Sequence, residues 1–168
     1  RLAAMGIKLR GTSEAASVPL ANISRASTRQ AKLLNITPAE HSLTSMLRSI
    51  GVDVIAQQPC GTYNLDIAIN GLPVAVEVEG GPAFRYPQCI KTRERAEYIL
   101  SQGWCILYVV TRYKPLIFPD VAYKIISLIE QSRSDKTLIG KYGVIERNGD
   151  PCTKPSFNFD GVPRIPGL

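Results

Sequence analysis

The chain has 168 residues, of which 45% are hydrophobic and 20% are charged, and its formal net charge is +6 at pH 7. This length and composition are those of a globular domain with a real core, which excludes a disordered or fibrous protein. Four cysteines without a Cys-x-x-Cys pair and a single histidine argue against a zinc site. No apolar run approaches the roughly 20 residues of a membrane span. We therefore expect no membrane partner and a cytoplasmic, reducing environment.

The first 30 residues are small, polar and basic, which predicts the end of an upstream module followed by a linker. The first predicted element is a helix in the segment TPAEHSLTSMLRSIG. Thr37 is its expected N-cap, Pro38 its first residue, and Glu40 completes a capping box. Gly51 is the expected terminator.

The segment YNLDIAINGLPVAVEVEGG predicts a hairpin that turns at Asn70-Gly71. A two-residue turn at this point places Asp66 opposite Ala75 and diagonal to Glu77. Because side chains alternate along a strand, Asp66, Glu77 and Glu79 are expected on one face. The other face is expected to carry only aliphatic side chains, namely those of Leu65, Ile67, Ile69, Val74, Val76 and Val78.

Beyond the hairpin, the spacing predicts a basic helix ended by Gly103, a strand WCILYVVT buried on both faces, and an amphipathic helix FPDVAYKIISLIEQ. The order α, β, β, α, β, α indicates an α/β fold with a mixed sheet flanked by helices. We place the core at residues 31–135. The segment 136–168 is expected to be a basic tail or hairpin outside the core, because it is rich in proline and glycine.

Three converging carboxylates without a histidine partner are the ligand type of a hard cation such as Mg²⁺. Such an ion polarises a phosphodiester and activates bound water. The alternative is a solvated face on which acidic residues protect a sheet edge from aggregation. The hairpin geometry alone leaves both open.

The order of these motifs resembles the core of the PD-(D/E)-x-K nuclease superfamily, in particular its very-short-patch-repair-like branch, which includes phage-type homing endonucleases. The similar features are a strand aspartate (Asp66), a strand VEVEGG, and the basic helix KTRERAEYILSQGW followed by CILYV. Glu40 matches an acidic residue on the preceding helix. Residues 1–16 are similar to the end of a DNA-binding helix-turn-helix module, so 1–30 are expected to be the remnant of such a module and its linker.

The resemblance implies a restriction-endonuclease-like core that hydrolyses phosphodiester bonds in double-stranded DNA with Mg²⁺ or Mn²⁺, in a bacterial or phage-infected cell or another nucleic-acid-containing compartment. Asp66 and Glu77 would hold the metal, with Glu79 as a third ligand or a water-orienting group. Glu40 would reach the site from its helix. The expected DNA-contacting residues are Arg85, Lys91, Arg93, Arg95, Lys141, Arg147 and Lys154.

Two departures from the family pattern keep a second function open. Glu79 stands where the superfamily has a lysine, and Phe84 stands where this branch usually has a histidine. The alternative is therefore a non-catalytic nucleic-acid-binding domain on the same scaffold. For the basic helix, the alternative to phosphate contact is a solvated face paired with Glu94 and Glu97.

Overall fold

A computed structural model describes residues 36–80, 88–112, 114, 116–152 and 161–168, and for 88–91 it describes the backbone alone. Residues 1–30, and with them the expected remnant of a DNA-binding module, lie outside these ranges. The helices are α1 (Pro38–Ser49), α2 (Gln88–Ser101) and α3 (Pro119–Ser134), and a short 3-10 turn covers Lys136–Leu138. The strands are β1 (Val54–Cys60), β2 (Tyr63–Ile69), β3 (Val74–Glu79), β4 (Cys105–Val110) and β5 (Tyr142–Glu146).

The five strands form one mixed sheet in the order β1-β2-β3-β4-β5. The first three strands are antiparallel neighbours, whereas β3, β4 and β5 run parallel through the crossovers that contain α2 and α3. Apolar side chains of α1 and α3 pack on one face of the sheet, and those of α2 pack on the other. The predicted α/β class, a mixed sheet flanked by helices, is confirmed.

Helix α1 begins and ends as its sequence predicts. The hydroxyl of Thr37 accepts a hydrogen bond from the Glu40 N–H (3.2 Å) and donates one to Glu40 Oε1 (2.8 Å). At the other end Gly51 has a φ of +83°, a conformation that glycine adopts at little cost. The N–H groups of Gly51 and Val52 return to carbonyls of the last turn, as in a Schellman motif.

The predicted hairpin register is wrong by two residues. Ala68 pairs with Ala75, and Ile67 with Val76, so the connection is a four-residue loop that includes Pro73. The predicted register would have put Pro73 in the ladder, where it has no N–H to donate. In the observed loop its carbonyl instead accepts the Cys105 N–H at 2.8 Å. A shift of two residues preserves the alternation of faces.

One residue of the predicted aliphatic face is misplaced. Leu65 packs in the cluster under α2, whereas Ile67 packs with α1 and α3. Between these residues the paired positions of β1 and β2 skip Gln57 and Asp66. Gln57 has a φ of +52°, which is unusual for a residue other than glycine. We attribute the change of face to this interruption of the ladder.

Two strands were not predicted, and each has a physical reason. β1 contains two glutamines and Pro59, which a sequence pattern counts against a strand, but β1 lies at the edge of the sheet, where proline is tolerated. β5 lies in the segment predicted to be outside the core, and that prediction is wrong. Tyr142, Val144 and Ile145 are fully buried, and β5 pairs with β4.

In the described part of the chain no helix combines the length and the apolar character needed to cross a membrane.

Candidate functional site

The centre of the candidate site is the pair formed by Asp66 on β2 and Glu77 on β3. Continuing the register from Ala68 and Ala75 places the two residues opposite each other. The Asp66 N–H donates to Glu77 Oε1 at 3.3 Å, and the Val78 N–H donates to Asp66 Oδ2 at 3.0 Å. The carboxylates thus take over backbone groups that an ordinary ladder would pair. This arrangement fixes both side chains to the sheet.

A positive charge from α2 faces this pair. Nη2 of Arg95 lies 2.5 Å from Glu77 Oε2 and 3.6 Å from Asp66 Oδ1. The same nitrogen donates a hydrogen bond to the Asn64 carbonyl at 2.6 Å. Burial lowers the pKa of Arg95, but the carboxylates of Glu77 and Asp66 outweigh that effect and raise it. Arg95 is therefore a permanent cation of the site.

Glu40 reaches the site from the first turn of α1 through Gln57 of β1. Gln57 Nε2 donates a hydrogen bond to Glu40 Oε2 at 3.1 Å, and both side chains are buried. Burial raises the pKa of Glu40, and the Asp66 carboxylate raises it further. The Gln57 side chain also lowers the pKa of Asp66 by hydrogen bonding. Gln57 is thus a neutral bridge between the two carboxyl groups.

Glu79 completes the group at the end of β3. Burial raises its pKa to about 7, to which the charges of Asp66 and Glu40 contribute while Arg95 opposes them. Such a carboxyl group is close to half-protonated at neutral pH. It is therefore suited to exchange a proton with a reacting group.

The other two carboxyl groups shift in the same direction. Burial raises the pKa of Asp66 in spite of Arg95, and it raises the pKa of Glu77 well above its usual value. The neighbouring Tyr108 of β4, whose pKa burial also raises, adds no negative charge at neutral pH. The four carboxyl groups therefore lie close enough to raise one another's pKa values. Among the described residues, a single arginine, Arg95, forms ion pairs with Asp66 and Glu77.

The donor chemistry of this place suits Mg²⁺, but its present arrangement does not. Carboxylate oxygens are the donors that Mg²⁺ prefers, and the buried Glu77 Oε2 has no hydrogen-bond partner. Yet within the described residues no group of three or more Asp, Glu, His or Cys side chains is arranged to hold a metal ion. The Arg95 guanidinium stands between the two expected ligands, Asp66 and Glu77. The residues fit the ion only after Arg95 has moved.

The predicted DNA-contacting residues have several different locations. The Arg93 side chain is 43% exposed and pairs with Glu97 at 2.7 Å, as in the alternative of a solvated helix face. Arg95 is turned inward. Lys141 and Arg147 flank opposite ends of β5. Arg85, Lys154 and the side chain of Lys91 lie outside the described residues, as does Phe84.

The carboxyl ends of the parallel strands, called here the basic edge, carry basic residues at the same end of the sheet as Glu79. Glu79, Val110 and Glu146 align at the carboxyl ends of β3, β4 and β5. Arg112 follows β4 and forms a two-pronged ion pair with Glu146 at 2.6 and 3.1 Å. Arg147 follows β5, and its guanidinium lies 5.1 Å from the ring centre of Phe118. This edge, unlike the Lys141 end, adjoins the site.

Sequence reasoning identified the carboxyl groups but missed two of their partners. The motifs do not identify Gln57, although a pair of glutamines inside an otherwise strand-like segment, VIAQQPC, is an unusual feature of the sequence. Arg95 was assigned to phosphate contact, because a helical pattern alone does not show which basic residue faces the sheet. The structure buries the adjacent Ala96 against the sheet, which shows the side of the helix that faces the carboxyl groups.

Comparisons of the chain with protein-family models, with curated proteins and with solved structures gave no match. The resemblance to the nuclease superfamily therefore rests on the sequence motifs of the chain alone.

Proposed function

We propose that the chain is a metal-dependent endonuclease that hydrolyses phosphodiester bonds in double-stranded DNA, on a restriction-endonuclease-like core. The observation that carries this proposal is the convergence of Glu40, Asp66, Glu77 and Glu79 in a largely buried place. Placing several carboxylates there is costly, and Arg95 offsets only part of that charge. Perturbed carboxyl groups of this kind cluster at functional sites.

Each residue of the site has a role in this proposal. Asp66 and Glu77, fixed by backbone N–H groups of the opposite strands, would hold Mg²⁺ or Mn²⁺, with Glu79 as a third ligand or a water-orienting group. When bound, the ion polarises the phosphodiester and lowers the pKa of water. Glu40 is oriented by Thr37 and Gln57 and accepts a proton from the attacking water at a carboxylate oxygen.

The charge of the chain supports a polyanionic substrate. The net charge is +6 and the pI is about 9.3, and a basic surface attracts nucleic acid electrostatically. Arg112 and Arg147 lie at the sheet edge that ends with Glu79. A phosphate backbone that follows this edge would pass the carboxyl groups.

A second candidate, a non-catalytic nucleic-acid-binding domain on the same scaffold, is favoured by one observation. Arg95 already occupies the place between Asp66 and Glu77 where the cation of a nuclease would be expected. If it never moves, the site is a buried ion-pair cluster and the basic edge alone acts on nucleic acid.

A plasmid-cleavage assay separates the two functions. Supercoiled DNA is incubated with the protein in Mg²⁺ or in EDTA, with Asp66→Asn as the matched variant. Cleavage that requires Mg²⁺ and is lost in the variant supports the nuclease. Salt-sensitive DNA binding without any cleavage supports the binding domain, and the absence of both contradicts both functions.

A further inference from the structure

Arg95 and Glu77 form a close contact that is incompletely satisfied. Although Arg95 Nη2 lies 2.5 Å from Glu77 Oε2, the two atoms do not have hydrogen-bonding geometry, and Glu77 Oε2 and Arg95 Nε are both buried without a hydrogen-bond partner. A buried ion pair compensates for its desolvation only when its remaining polar atoms are also hydrogen-bonded. The contact therefore neutralises Glu77 without satisfying all of its polar atoms.

The two partners differ in how firmly they are held. Glu77 belongs to a strand that is paired on both sides, its side chain is 1% exposed, and Oε1 accepts a backbone hydrogen bond. The Arg95 side chain is 28% exposed and extends from a helix at the surface of the sheet. A long, partly exposed arginine can swing toward solvent and keep its charge hydrated. If one partner leaves, it is Arg95.

We propose that Arg95 is a resident counter-ion that a divalent cation must displace from Asp66 and Glu77, so that Arg95 sets the metal affinity of the site. This inference rests on the proposed function, because it takes the two carboxylates to be the metal ligands. A guanidinium and a divalent cation compete for the same oxygens, and two cations in contact repel each other. In the metal-free protein Arg95 consequently occupies the position between Asp66 and Glu77 that the metal ion would take.

The test measures Mn²⁺ binding to the full chain by the electron paramagnetic resonance signal of free Mn²⁺, without DNA and without an activity readout. Arg95→Gln is expected to tighten Mn²⁺ binding by about tenfold or more, since a neutral side chain does not compete. Arg95→Lys keeps the charge and is expected to bind Mn²⁺ less tightly than Arg95→Gln. The matched control is Arg93→Gln, which removes the same charge from the same helix at a residue that forms an ion pair with the exposed Glu97. Its Mn²⁺ affinity is expected to stay within about twofold of wild type.

Folding of each variant is checked by the fluorescence of Trp104, which is buried in the same cluster as the apolar face of α2. If Arg95→Gln is too unstable in the absence of metal, the melting temperature is measured against Mn²⁺ concentration. A larger Mn²⁺-dependent rise for Arg95→Gln than for Arg93→Gln then supports the proposal.

Equal or weaker Mn²⁺ binding by Arg95→Gln, relative to wild type, overturns the inference. The proposed function is judged separately by plasmid cleavage. If the wild-type chain cleaves DNA and Arg95→Gln gains no Mn²⁺ affinity, the nuclease function is supported and the counter-ion role of Arg95 is contradicted. Tighter Mn²⁺ binding by Arg95→Gln in a chain that never cleaves DNA supports the counter-ion and contradicts the nuclease.

Discussion

Asp66 and Glu77 face each other across the β2–β3 pair, and each carboxylate accepts a hydrogen bond from the backbone of the opposite strand. This reciprocal relationship places two acidic groups at a fixed separation inside the sheet. Because both hydrogen bonds cross from one strand to the other, the relative position of the two carboxylates depends on the register of the hairpin. A change in one carboxylate therefore affects the position of the other.

For the pair itself we expect Asp66→Asn and Glu77→Gln each to reduce Mg²⁺-dependent DNA cleavage by a hundredfold or more, on the order expected for a preorganised catalytic group. The amides keep an oxygen that accepts the backbone N–H, so the fold should persist. Cleavage rates and circular dichroism are measured on the same samples. Wild-type cleavage by both variants would show that the pair is structural.

Glu40→Gln distinguishes a helix cap from a catalytic group. Glutamine replaces glutamate in a capping box with little loss, because its amide oxygen can accept from Gln57 while its N–H₂ group faces the Thr37 hydroxyl. Because burial and Asp66 both raise the pKa of Glu40, a neutral side chain also removes an unfavourable charge. We expect an unchanged or higher melting temperature together with at least a hundredfold slower cleavage. Full activity with a lowered melting temperature would make Glu40 a cap only.

The stability of the metal-free protein should decrease between about pH 5 and pH 7. Burial raises the pKa of Glu79 to about 7, above its unfolded value of 4.5, so the native state binds more protons than the unfolded state in this interval. The stabilisation is complete below the unfolded pKa and is lost as the pH rises through 7. Each unit of pKa shift corresponds to about 1.4 kcal/mol.

This pH dependence is measured by urea unfolding in EDTA at pH 5 and at pH 7.5. Glu79→Gln, which cannot ionise, is expected to lose less stability over the interval than wild type. Glu40, Asp66 and Glu77 shift in the same direction, so part of the decrease should remain in the variant. Identical decreases in both proteins would show that Glu79 titrates normally.

DNA affinity should depend on salt through the basic edge beside the site. Arg147→Gln is expected to reduce the slope of log affinity against log salt concentration by about one, as for the loss of one phosphate contact. Lys141→Gln removes the same charge at the opposite end of β5 and serves as the comparison. Binding titrations with a short duplex at several salt concentrations measure both. A larger change of the salt slope in Lys141→Gln would indicate that DNA binds at the opposite end of β5.

Gly61 in the β1–β2 turn should be required for the observed position of the Tyr98 ring. Its φ is +59°, and a Cβ at this position would overlap the Tyr98 hydroxyl and ring of α2. Gly61→Ala is therefore expected to cost about 1–2 kcal/mol from the backbone conformation, plus the displacement of Tyr98. Gly51→Ala has a similar φ of +83° with no atom within 4 Å. If thermal melts show equal losses for the two variants, the Tyr98 contact is unimportant.

The sequence by itself determined the elements whose signals are local. The caps of α1, the apolar faces of α3 and the continuous run of β4 lie within about a dozen neighbouring residues, and their physical basis is hydrogen bonding and side-chain spacing inside one element. The shared face of Asp66 and Glu77 was predictable for the same reason, because alternation survives a register shift of two residues.

Tertiary structure alone decided the rest. The Pro73 carbonyl in the hairpin loop accepts the N–H of Cys105, more than 30 residues away in the chain. Neighbouring strands determined that β1 is an edge and that β5 belongs to the core. Arg95 lies almost 30 residues from Asp66 in the chain, and its helix offers several basic side chains with similar local surroundings. Only the packing of Ala96 and Ile99 against the sheet selects which of them meets the carboxylates, since burial is a property of the whole fold and not of a segment.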